Sequence, residues 1–158
     1  MKVDTTRFGP LEVPDEAVLE FPEGLIGFET CTRYVIVDRQ DEKPVWWLQS
    51  LDRPEVAFIL TDPRSVVPQY QPELASSDLE SLELASINEA QMHVMLVVAG
   101  SPKEITANLL GPLVVNPRRR QGKQVILHNS GYSVAHRLTQ PVTAGTPTAN
   151  GEGGDPRC

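Results

Sequence analysis

Short apolar runs, each closed within a few residues by a turn signal, leave this chain few architectures. Parallel strands must be joined by crossovers of about a dozen residues or more, and nearly every gap here is shorter, so the sheet should be mainly antiparallel. The segments 18–21, 34–37, 45–49, 56–61, 92–99, 105–110, 113–115 and 124–127 read as strands. Less regular candidates lie at 7–13, interrupted or twisted at Gly9-Pro10, and at 132–138. Val56-Ala57-Phe58-Ile59-Leu60-Thr61 is the clearest buried strand, and Asp62-Pro63 ends it because proline cannot continue the ladder. Pro22-Glu23-Gly24 closes an earlier strand in a turn, the charged stretch 38–44 reads as a hairpin loop, and 102–104 and 128–131 as turns. Helix signals are few. Ser77-Asp78-Leu79-Glu80 has the form of a capping box, with Leu79 and Leu82 inward on a short helix, and Ser86-Ile87-Asn88-Glu89 repeats it for a brief second turn. The expected fold is mainly β: a compact, antiparallel, barrel-like single domain with one or two short helices, a two-layer sandwich being the other solution.

That domain should span residues 1–138. From 139 to 158 there are three prolines, four glycines and little to bury, so the ordering cost goes unmet and a disordered C-terminal tail is expected. With 40% apolar residues, the remainder has material for a core. Net charge is −7, and −6 within 1–138, where 13 basic residues face 19 acidic ones. This balance disfavours broad binding to nucleic acid or anionic membranes and mildly favours basic partners. No apolar run approaches a membrane span. Cys31 and Cys158 are too few, and Cys158 too near the end, for a structural disulfide. With an N-terminus that turns acidic at once, they point to the reducing cytoplasm.

No residue set announces catalysis. His93, His128 and His136 lack closely spaced Cys or acidic partners, which a metal site would need. Cys31 has no motif of a nucleophile and reads as a small buried hydrophobe. Glu80, Glu83, Glu89 and Glu104 read as solvated carboxylates, and Gly24-Leu25-Ile26-Gly27 lacks the spacing of a phosphate loop. No catalytic residue, metal ligand or cofactor is expected. A small enzyme using His93 or His128 as general base would require a deep polar pocket around one of them.

Binding features remain. Trp46 and Trp47, adjacent in a strand, should face opposite ways, one into the core and the other covered or presented. Tyr70, stiffened between Pro68 and Pro72, is either a presented contact or a lid over a barrel end. Arg118, Arg119, Arg120 and Lys123 gather on one expected loop. Such a loop could be merely solvated, contact a protein, or grip RNA phosphates, which makes an RNA-binding module using 118–123 the alternative function. Without interleaved aromatics, direct nucleic-acid binding is not expected.

The chain resembles the FliW-type flagellar assembly factors. The resemblance is carried by Phe21-Pro22-Glu23-Gly24-Leu25-Ile26-Gly27-Phe28-Glu29, Leu48-Gln49-Ser50, the strand 56–61 with Asp62-Pro63, Tyr70, Ile105-Thr106-Ala107-Asn108-Leu109, Gly111-Pro112-Leu113-Val114-Val115-Asn116 and Gln124-Val125-Ile126-Leu127, in family order. It implies a non-enzymatic cytoplasmic protein that binds newly made flagellin. When free, it binds and allosterically antagonises the translational regulator CsrA, lifting repression of flagellin translation. The expected protein-binding residues are Asp62, Pro63, Tyr70, Leu74, Leu79, Asn108, Asn116 and Arg119, with local turn capping as the competing role for Asp62, Asn108 and Asn116.

Overall fold

The computed structural model describes residues 1–39, 44–100, 104–128 and 130–138. The expected tail at 139–158 lies outside them, as do most of the loop at 38–44 and of the turn at 102–104. Strands β1 (Lys2–Thr5) and β2 (Gly9–Glu12) form a separate antiparallel hairpin. A second sheet holds β3 (Leu19–Glu20), β4 (Arg33–Val37), β5 (Val45–Ser50), β6 (Ala57–Thr61), β7 (Gln91–Ala99), β8 (Glu104–Ala107), β9 (Leu113–Asn116), β10 (Gln121–Gln124) and β11 (His136–Arg137). Its order is β11-β8-β7-β6-β5-β4-β3-β10-β9, and β7 also pairs with β9, closing β3 to β7, β9 and β10 into a seven-strand barrel. β7 is long enough for both neighbours: Gln91, Met92 and His93 pair with β9, whereas Leu96 to Ala99 pair with β8. The ladders are antiparallel except where β10 meets β3 at Gln121 and Glu20. The antiparallel barrel expected from the spacing is therefore the fold.

Side-chain alternation divides the apolar residues between two cores. One face of the closed sheet brings together Tyr34, Leu48, Leu60, Leu113 and Val115, with Trp46, Phe58 and Met95 packed against them, inside the barrel. The segment between β3 and β4 plugs one end with Phe21, Leu25, Phe28 and Cys31; Phe28 meets Phe58 edge to face at 5.0 Å. Gly24 permits the plug's turn, with φ +68° and its Cα so close to Glu29 that a Cβ would lie 2.5 Å from that backbone. A second core lies outside the wall, where Trp47, Ile59, Val94, Leu96 and Val114 are covered by Tyr70, Leu82, Leu84, Leu109, Val125 and Leu127. The two tryptophans obey the alternation: Trp46 opposes Leu60 and faces inward, while Trp47 opposes Ile59 and faces the outer core. The β1–β2 hairpin turn covers Trp47, with Phe8 edge-on at 5.8 Å and the Arg7 guanidinium 4.4 Å from the ring centre.

Several element boundaries differ from the sequence reading. The irregular segment at 7–13 is a hairpin partner, with β1 preceding it. The strand expected at 124–127 is instead β10 at Gln121–Gln124, because Asn116 caps a turn through Pro117 to Arg120 and pairing resumes at once. Of 132–138, only His136–Arg137 pairs as a strand. The capping box at Ser77 does not form: α2 (Ser76–Ser81) begins after Ala75, which stands two residues before the expected cap, without a side-chain cap. Ser86 does cap, its Oγ accepting from the Asn88 amide at 3.3 Å. Pro63 ends β6 as expected, but it also opens a short helix, α1 (Pro63–Val66), because its fixed φ suits a first helical position.

Candidate functional site

At the end of the barrel opposite the plug, a groove of about 580 Å³ opens between the ends of β4 to β7 and the connection from β6 to β7. Its floor holds Ile36, Trp46 and His93, and its rim includes Asp62, Arg64, Asn88 and Gln91. Trp46 and His93 meet edge to face with centroids 5.7 Å apart. Burial holds the His93 imidazole below its ordinary pKa of 6.5, against the opposing pull of the Asp62 carboxylate, so it is neutral at pH 7.

The β6–β7 connection is fixed residue by residue. Asp62 is extended, and its carboxylate accepts from the Arg64 amide at 2.9 Å, capping α1. Thr61 donates to the Pro44 carbonyl at 2.9 Å, tying this corner to the start of β5. Tyr70 is buried and donates its hydroxyl to the Leu109 carbonyl at 2.8 Å, with the Tyr132 ring tilted against it, centroids 4.6 Å apart. Burial, then the neighbouring Tyr132, pushes the Tyr70 phenol well above its ordinary pKa. Further along, Asn116 reaches from the end of β9 to the Leu82 carbonyl at 2.7 Å and the Glu83 carbonyl at 3.3 Å. It thereby holds Glu83 in the left-handed region at φ 58°.

The basic loop completes this clamp. Arg118 pairs with Glu89 at 3.6 Å, Arg119 with Glu83 at 3.2 Å, and Lys123 with Asp78 at 2.8 Å, while Arg120 donates to the Asp15 carbonyl at 3.0 Å. The hydrogen bond with Asp78 raises the Lys123 pKa. All four cations thus hold internal partners, and three of them hold the acidic β6–β7 connection. This counts against a phosphate-gripping role for the loop, since binding RNA would first break these pairs.

Of the residues expected to bind protein, the fold brings Asp62, Pro63 and Tyr70 together as lining of the groove. Leu74 and Leu79 lie on the same connection, half-buried against the outer core. Asn108 is elsewhere, its Oδ1 accepting from the Gly111 amide at 2.9 Å; Asn116 is buried and Arg119 is exposed. Asp62, Asn108 and Asn116 all make the local caps weighed for them. Sequence reasoning missed Trp46 and His93 as a joined floor. Their one available signal was an inward parity on two strands that only the pairing of β6 with both neighbours brings side by side. Among the described residues, no three His, Cys, Asp or Glu are placed to hold a metal ion, and no helix is long and apolar enough to cross a membrane.

The family model described as FliW protein matches residues 2–138. This chain belongs to the FliW family. The flagellar assembly factor FliW of Natranaerobius thermophilus is 37% identical over 139 residues, covering 87% of this chain and 92% of that protein. The one from Desulfitobacterium hafniense is 36% identical over 156 residues, covering 98% and 100%. A crystal structure of the flagellar assembly factor FliW superposes with a TM-score of 0.79 at 33% identity, covering 87% of this chain and 96% of that one. The chain is accordingly a non-enzymatic flagellar assembly factor. His93, the base that the enzyme alternative would use, lies in this groove beside Ile36, Trp46 and Met92.

Proposed function

We propose that this protein acts in the cytoplasm as a flagellin-binding chaperone that also senses whether flagellin is present. Occupied by newly made flagellin, it leaves the CsrA-type regulator free to repress flagellin translation. Once flagellin is exported, the vacated protein captures the regulator and antagonises it allosterically. Linked equilibria suffice for such a switch, because one partner's occupancy lowers the free pool available to the other. Membership of the FliW family carries this reading. The net charge of −6 over residues 1–138 supports it, since it favours encounter with a basic RNA-binding protein.

The proposed contact surface centres on the groove edge at Asp62, Pro63 and Tyr70 and continues along Leu74 and Leu79, with Asn108, Asn116 and Arg119 at its margins. The buried members act by shape: Tyr70 and Asn116 set the course of the connection that presents the others. Purified flagellin and purified regulator, each offered alone to the immobilised protein, should both be retained. Asp62→Lys and Arg119→Glu should weaken at least one complex without unfolding the protein. Retention of neither partner sinks the functional reading, whereas retention unaffected by both substitutions sinks only the placement of the surface.

A further inference from the structure

The groove differs from the neighbouring surface in how its charges are employed. Around the β9–β10 hairpin each cation is bound internally. Arg64 lines the groove, yet its guanidinium has no ion-pair or hydrogen-bond partner among the described residues. The Asp62 carboxylate also lines the groove, but it caps α1 through the Arg64 amide and forms no ion pair with the Arg64 guanidinium. With His93 neutral, Arg64 is the permanent cation of the lining. Beneath it lies an apolar and aromatic floor of Ile36 and Trp46, edged by His93. A volume of about 580 Å³ is within the range of pockets that enclose whole ligands. The groove is open to the surface, however, which suits a side chain delivered by another polypeptide.

We propose that the groove is a socket for a large apolar or aromatic side chain of a partner protein, recognised together with a carboxylate on the adjacent residue. The apolar group packs on Trp46 and Ile36, and the carboxylate pairs with the Arg64 guanidinium, which can offer it two parallel N–H donors. The occupant follows from charge complementarity: an unspent cation beside an apolar floor selects an acidic neighbour to the buried group. This inference rests on the partner-binding reading above and specifies what the groove would accept.

The test uses the full isotope-labelled protein and three capped peptides in which phenylalanine is followed by glutamate, glutamine or lysine. The glutamate peptide should shift the Trp46 indole and the Arg64 side-chain signals in a saturable way. It should bind about fivefold or more tighter than the glutamine peptide, and the lysine peptide should bind weakest. Arg64→Gln should abolish the preference while leaving the melting temperature unchanged, since that side chain holds no internal partner. Equal binding of the glutamate and glutamine peptides overturns the proposal. So does a preference that survives in Arg64→Gln, or no saturable shift at the Trp46 indole up to about 10 mM. Concentration-dependent shifts of the groove signals without peptide would assign the groove to a second copy of this chain and also overturn it. Because the peptides need neither flagellin nor regulator, failure here is distinguishable from failure of the proposed function.

Discussion

Asn116→Ala removes the side chain that fastens the β6–β7 connection to the barrel. Asn116 is 1% exposed, donates to Leu82 O at 2.7 Å and Glu83 O at 3.3 Å, and accepts from the Arg118 amide at 3.1 Å. In the alanine variant the Leu82 carbonyl stays buried without its donor, which costs about 1–3 kcal/mol. The Arg118 amide lies in an exposed turn and can bond water, so its loss adds little. The net destabilisation should be about 2 kcal/mol, or roughly 4–8 °C in Tm for a body of this size. Equilibrium urea unfolding followed by tryptophan fluorescence measures it directly, since both tryptophans sit in the barrel wall. Asn116→Asp should be at least as damaging, because it keeps the acceptor for Arg118 but sets a carboxylate against two carbonyls. Glu83→Gly should stabilise by up to about 1 kcal/mol, since glycine occupies the left-handed region without steric cost. The exposed Glu83–Arg119 pair lost with it is worth less. A change below about 0.5 kcal/mol for Asn116→Ala, or an unperturbed Asn116→Asp, would refute the anchoring role.

Gly122→Ala should destabilise by about 1–3 kcal/mol in the same assay, because its Cβ would lie 2.6 Å from the buried Phe21 ring, and Phe21→Leu should recover part of the loss. Tyr70→Phe should cost about 1 kcal/mol through the lost bond to Leu109, whereas Tyr34→Phe should cost nothing measurable, its buried hydroxyl having no protein partner among the described residues. Two equal losses would contradict that assignment. His93 should resist protonation as pH falls through 6.5; because the unfolded chain then binds the proton more readily, stability should decline below that pH. His93→Gln should flatten the decline, and a His93 imidazole that titrates by NMR at or above 6.5 would contradict its burial beside Trp46.

Much of the fold was legible because closing a sheet from short segments is governed by gap length and alternation, both local properties. The opposite facing of Trp46 and Trp47 followed from parity alone, and the strand at 56–61 from its unbroken apolar run. Element boundaries were less legible where tertiary bonds outweigh local signals. The Ser77 box loses to a helix that starts at Ser76 so that Leu79, Leu82 and Leu84 can seat on the outer core. β10 begins at Gln121 because Asn116 turns the chain tightly, and nothing near 117–120 announces that. The basic loop illustrates the limit for sites. Its four cations read equally as solvated, partner-binding or phosphate-binding, and only the seating of Asp78, Glu83, Glu89 and the Asp15 carbonyl opposite them decides that they are spent internally. The groove was half legible: Asp62, Pro63 and Tyr70 stand close in sequence, but Trp46 and His93 join them only through strand pairing.

The central claim, that one protein is occupied by one partner at a time, is tested by titrating flagellin into a preformed complex with the CsrA-type regulator and measuring the regulator released. Stepwise release that saturates at one flagellin per protein is the expected result. A stable ternary complex with the regulator still retained, or no flagellin binding at all, would contradict it.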